Sequence, residues 1–235
     1  MRHTYLGETI QFEIKYKKRE SMGVHIDVYG HVEVQTPKGT SDEKVIQLLE
    51  RNWDQIQQKS KEMKERMLGP KERVYHQGES FLYLGKTYPI QIFQDDTLKQ
   101  DHVDFQEGIL HIFVKQLEDE KIKQALKRFY FQRCKAMVEK SVRNHQSDFK
   151  VKPRSIRITD SKKTWGTCDS QLQLTFNWRL AMAPLEVIDY VVVHEMCHMV
   201  HLNHDRSFWR LVGKMSPNFK AQENWLAQSS WKMTV

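Results

Sequence analysis

His194, Glu195 and His198 stand in the order His-Glu-x-x-His, a spacing that has a mechanical meaning on a helix. Residues four apart on an α-helix differ by about 40° around the axis and about 6 Å along it, so both imidazoles can face one divalent ion. Glu195, one step round, then stands beside that ion without ligating it. A carboxylate there can take a proton from water, whose pKa a zinc ion lowers from about 15.7 to about 7. The chemistry that these residue types offer is hydrolysis assisted by one zinc ion, Zn2+, with Glu195 as general base.

Two imidazoles leave a zinc site short of protein ligands, and His204, Glu223 and His201 are the candidates for a third. His201 shares the face of His194 and His198 but lies about 10.5 Å along the axis from His194, and three rings over that span converge poorly on a tetrahedral ion. His204 fits if the helix ends before it. Asn203 enters the left-handed conformation cheaply, and a sharp bend at Leu202-Asn203 would swing His204 back toward the metal. Asp205 can then cap a new helix through Phe208, Trp209, Leu211 and Val212. Glu223 would need a later helix to supply its carboxylate. The order of preference is His204, Glu223, His201; with His204 the spacing matches that of metzincin proteases, except that His201 occupies the glycine position.

The element that must carry the motif begins at Pro184, which suits a first helical position, with Glu186 and Asp189 near the positive end of the helix dipole. Val191, Val192 and Val193 favour a strand, yet the length of the segment and Pro184 decide for a helix, apolar almost all round and therefore buried. Behind it the sequence predicts a long amphipathic helix, roughly Asp119 to Asp148, with Ile122, Leu126, Phe129, Tyr130, Met137, Val138 and Val142 on one stripe. Between the two helices lie a strand at Ser155–Thr159 and a strictly alternating run at Gln171–Trp178. That second run is expected to be the edge strand above the metal that holds an extended substrate by backbone pairing. The intervening loop, Lys163 to Cys168, carries Trp165 and Cys168; Trp165 either pins the loop or forms a rim beside the metal. Trp165, Asn177 and His201 are candidate substrate-binding or rim positions, and Asn177, Arg179 and His201 are candidate oxyanion donors.

Earlier in the chain, apolar alternation marks strands at Thr9–Tyr16, at Val24, Ile26 and Val28, and at Val32 and Val34, read as a small antiparallel meander. Ser41 opens a helix that Gly69-Pro70 stops. Hairpin strands return over Phe81–Leu84, Tyr88–Phe93, Val103–Phe105 and Ile109–Val114. No internal repeat is visible. The expected fold is α+β, with an N-terminal β-rich domain over residues 1–118 and a zincin-like metallopeptidase domain over 119–235.

The chain has 235 residues and a formal net charge of +7, which allows a polyanionic partner without requiring one. The basic segment from Lys121 to Arg154 reads first as a solvated helix face and second as a nucleic-acid surface. Cys134, Cys168 and Cys197 are an odd number without a Cys-x-x-Cys pair, which argues against a disulfide framework or a cysteine-rich zinc site. With neither a membrane span nor a signal peptide in the sequence, a cytoplasmic location is expected.

Trp165-Gly166-Thr167-Cys168, Asn177-Trp178-Arg179-Leu180, Ala183-Pro184, Asp189 to Glu195, and Asn203-His204 with Phe208-Trp209 resemble the YgjP-like metallopeptidase family. Thr167 departs from the small residue usual there. The resemblance is densest over Ser155 to Trp225 and implies a zincin-type fold, with His194, His198 and His204 as zinc ligands and Glu195 as general base. It extends more distantly to SprT-like proteases, which act on DNA-bound proteins. The expected function is a zinc peptidase with a peptide or protein substrate. The alternative is a nucleic-acid-associated protein with a structural metal, closed by four protein ligands.

Overall fold

The computed structural model describes residues 1–27, 30–67, 75–161 and 164–235. Val28, Gly69-Pro70 and Lys163, read above as parts of a strand, a helix stop and a loop, lie outside the described residues. The chain forms two compact units, Met1–Lys71 and Glu72–Val235.

In the first unit, β1 (Arg2–Tyr5), β2 (Glu8–Tyr16), β3 (Gly23–Ile26) and β4 (Val32–Thr36) form one sheet in the order β1-β2-β4-β3. Ile10, Phe12, Val32 and Val34 point to one face and pack against Val45, Leu49, Trp53 and Ile56 of α1 (Asp42–Arg51) and α2 (Trp53–Met67). The expected antiparallel meander is corrected here to a mixed sheet, because β2 pairs with β4 in parallel and β3 takes the edge. Alternation dictates which face a strand buries but not its neighbour. The single helix expected after Ser41 is divided at Asn52, whose side-chain amide donates to the Leu48 carbonyl.

The second unit opens with the same topology. β5 (Ser80–Tyr83), β6 (Lys86–Gln94), β7 (His102–Gln106) and β8 (Ile109–Val114) lie in the order β5-β6-β8-β7, again with the two inner strands parallel. The hairpin turns correspond as well. Leu6-Gly7 after Tyr5 and Leu84-Gly85 after Tyr83 all have positive φ, the twist that two-residue hairpins require. The structure therefore contains a repeat that the sequence hid, because Tyr-Leu-Gly is all that the two turns keep in common.

α3 (Asp119–His145) covers this second sheet, burying Ile122, Leu126, Phe129, Tyr130, Val138 and Val142. Residues from Tyr75 to Val114 share one core with Val187, Ile188 and Val191 to Val193 further along the chain. The boundary expected at 118/119 thus falls inside the second unit; a four-stranded sheet needs a partner for its apolar face, and here α3 supplies it.

The rest of the unit holds the site. β9 (Ser155–Thr159), β10 (Gly166–Cys168) and β11 (Gln173–Asn177) form a small sheet in the order β10-β11-β9. A tight 3-10 turn leads to α4 (Leu185–His198), followed by α5 (Arg206–Met215) and α6 (Phe219–Ser229).

The three valines sit in α4 after all, fully or almost fully buried, because burial on every side outweighs their β preference. Its position is fixed at two points. The Leu84 and Gly85 amides donate to the carbonyls of Ala181 (3.1 Å) and Met182 (2.8 Å), and a Cβ at Gly85 would lie 2.6 Å from the Pro184 ring. Half-way along, the Asp189 carboxylate accepts from Ser141 Oγ (2.6 Å) and His145 Nε2 (3.0 Å), tying α4 to α3.

Candidate metal centre and adjoining cavity

α4 places His194 and His198 one turn apart, then stops. The amides of Met199, Val200 and His201 turn back to the carbonyls of Met196 and Cys197, so the helix ends at His198, sooner than the sequence suggested. The reversal is spread over residues 199–204, and Asn203 does not adopt the left-handed conformation expected of it. Asp205 does cap α5, its Oδ1 accepting from the Phe208 amide at 2.9 Å.

The reversal brings His204 Nε2 to 3.0 Å from His194 Nε2 and 3.1 Å from His198 Nε2. These three residues form the one group of potential metal ligands among the described residues, all donor atoms lying within 4.8 Å of one another. His201 is not part of it; its backbone carbonyl instead accepts from His198 Nδ1 at 3.0 Å. That bond fixes the His198 tautomer and leaves the Nε2 lone pair facing the other two rings. Glu223 is also outside the group, on α6.

The electrostatics suit a cation. Burial, followed by the neighbouring His198 and His204, holds His194 down to about 4, and burial lowers His198 as well. Neutral imidazoles are the form that ligates a metal. His204 Nε2 lies about 3 Å from both other Nε2 atoms, a donor set that a divalent ion among the three would satisfy. Phe208 forms the floor: it is fully buried, with its ring centre 4.4 Å from that of His198, 4.8 Å from His204 and 5.0 Å from His194.

Glu195 is 6% exposed, and burial pushes its carboxyl up to about 8. A Cβ added at Gly166 would lie 2.6 Å from both Cγ and Oε1 of Glu195. β10, which begins at this glycine, is therefore in contact with the carboxylate, and it is an edge strand. The strand assigned above to substrate pairing, now β11, is corrected: it is the middle strand, bonded to β10 on one side and β9 on the other. Strict alternation revealed its buried face, yet three-residue β10 has too short a pattern to be seen.

Asn177 is 5% exposed and works as a clasp. Its amide nitrogen donates to the carbonyls of Ser161 (2.8 Å) and Thr164 (3.3 Å), while its oxygen accepts from the Arg179 amide. Arg179 is committed to Asp160 at 2.5 Å and lies over the Trp178 ring. Trp165 combines both roles weighed for it, packing on the core and lining a cavity of about 390 Å³ beside His194 and Glu195.

The cavity also gathers residues that sequence reasoning missed or placed elsewhere. Tyr190, one turn before His194 on the same face of α4, lines it together with Leu226 and Glu223 of α6. The i, i+4 relation to His194 was the available signal for Tyr190; none existed for Leu226. Cys168 and Cys197 carry raised thiol pKa values, about 11 and about 12, chiefly from burial, so neither is a ready thiolate. Of the basic segment, Lys127 pairs with Asp160, Arg128 donates to the Asp101 carbonyl and Arg133 covers Phe129.

Three converging histidines, two half-buried and one exposed, with a buried carboxylate beside an open cavity define a metallohydrolase type of site. Residues 20–229 match the family model described as the YgjP-like metallopeptidase domain, and the chain belongs to that family. No curated protein and no solved structure matches the chain. Among the described residues no helix is long and apolar enough to cross a membrane.

Proposed function

We propose that this metallopeptidase is zinc-dependent, that His194, His198 and His204 hold the ion, and that Glu195 is the general base for peptide-bond hydrolysis. The observation that carries the reading is the convergence of His198 and His204 on His194, which lines the same cavity as Glu195. An ion held there supplies a Lewis acid that polarises a carbonyl and acidifies water. Imidazole donors favour zinc over harder ions.

Glu195 takes the proton from the attacking water and passes it to the leaving amine. Gly166 keeps room for that carboxylate. The free edge of β10 runs beside it and can pair with an extended peptide as an added strand. Three grouped donors rather than four among the described residues support a catalytic over a structural metal, since a catalytic ion keeps one position for water or substrate.

The reading is tested by exposing a lysate to the zinc-loaded protein and, separately, to its Glu195→Gln variant. New peptide termini should appear with the first and not with the second. Identical sets of termini would overturn the assignment.

A further inference from the structure

The cavity beside the metal centre has a lining of mixed character. One wall is built from the Trp165 ring, Tyr190 and Leu226, the last 7% exposed. The exposed residue Glu223, one helical turn before Ala227 of the same lining, adds a carboxylate. Glu223 is near enough to add to the effect of burial in pushing the Tyr190 hydroxyl up to about 12. Tyr190 and Glu223 therefore line the cavity side by side.

We propose that this cavity is the subsite for a substrate side chain next to the cleaved bond, and that Glu223 makes it select lysine or arginine. The inference rests on the peptidase reading above. The chemistry is that of a long amphipathic side chain: its methylene stem lies against Trp165, Tyr190 and Leu226 while its cationic head stays beside the exposed Glu223. The ammonium or guanidinium meets the Glu223 carboxylate there, and the aromatic faces of Trp165 and Tyr190 favour a cation as well. An acidic side chain would face an unpaired like charge and be rejected. The volume of about 390 Å³ is ample for either basic side chain. Glu223 was one of the candidates for the third metal ligand; its distance from the histidine group frees it for this role.

Two measurements test the proposal. In the first, the zinc-loaded protein and its Glu223→Gln and Glu223→Lys variants cleave a peptide series in which one position beside the scissile bond is lysine, norleucine or glutamate. Lysine should exceed norleucine in kcat/KM by about fivefold, the scale of a partly exposed ion pair. That ratio should fall to near one in Glu223→Gln, and glutamate should overtake lysine in Glu223→Lys. In the second, lysine hydroxamate and norleucine hydroxamate are titrated calorimetrically into the same zinc-loaded proteins. The wild type should bind the lysine compound about fivefold more tightly, and Glu223→Gln should bind both alike. A wild-type ratio near one, or a ratio that survives Glu223→Gln, overturns the proposal in either measurement. Failure to cleave any peptide would instead count against the peptidase reading, and the hydroxamate ratio would still decide the subsite.

Discussion

Gly166 and Glu195 are in contact across the gap between β10 and α4, so close that a single added methyl group at position 166 would lie 2.6 Å from the carboxylate oxygen. The absence of a side chain at one residue thus sets the position of another. Gly166→Ala should displace Glu195 and lower kcat/KM by about a hundredfold, the scale on which misplacing a reacting group by about 1 Å acts. Metal content should stay at the wild-type level, because Gly166 is not among the grouped ligands. Steady-state kinetics with metal analysis on the same sample checks both halves.

His204 reaches the other two rings only because the chain reverses after His198. His204→Ala should weaken zinc binding by more than about a hundredfold, since loss of even an outer partner of a ligand weakens it by about 10- to 100-fold. His201→Ala should weaken it far less, as His201 serves through its backbone carbonyl. Competition with a chromogenic chelator measures the two affinities.

The helix and its motif were legible in the sequence because residue type and spacing coincide there. His194, Glu195 and His198 need only an α-helix to be arranged, and Pro184 and Asp205 mark its start and the next cap. What was illegible depends on neighbours rather than on local pattern. β11 alternates clearly, yet nothing in Gln173–Asn177 says that β10 lies outside it. Residues 75–118 read as part of a separate domain because the burial of Ile90, Leu110 and Ile112 under α3 is a long-range fact. Tyr190 and Leu226 belong to the cavity for the same reason.

Glu195 and His194 titrate in opposite senses, and the metal-free protein should show it. Glu195 is raised by burial to about 8, so between its unfolded value near 4.5 and about 8 the folded state binds the extra proton. Stability from this group is lost as pH rises through that window. His194 is lowered by burial to about 4, so between about 4 and its unfolded value near 6.5 the unfolded state binds the extra proton, and stability is lost as pH falls. Glu195→Gln should therefore raise the melting temperature of the metal-free protein at pH 8 more than at pH 4. An equal shift at both would contradict the buried-carboxylate account.

Asn177 joins the loop at Ser161 and Thr164 to the start of the turn at Arg179. Asn177→Ala removes the side-chain hydrogen bonds to the Ser161 and Thr164 carbonyls and should lower stability by about 2 kcal/mol. Denaturant unfolding measures this. Activity should fall as the loop beside Trp165 loses its tie at Thr164.

The central claim is that one ion among His194, His198 and His204 works together with the Glu195 carboxylate. Metal-free protein titrated with zinc, with bound metal and peptide hydrolysis followed in the same samples, tests it most directly. Activity should rise with zinc and level off at one equivalent, and the Glu195→Gln protein should bind the same equivalent with hydrolysis reduced by at least about a thousandfold. Hydrolysis that continues in Glu195→Gln, or that is indifferent to zinc, would contradict the account.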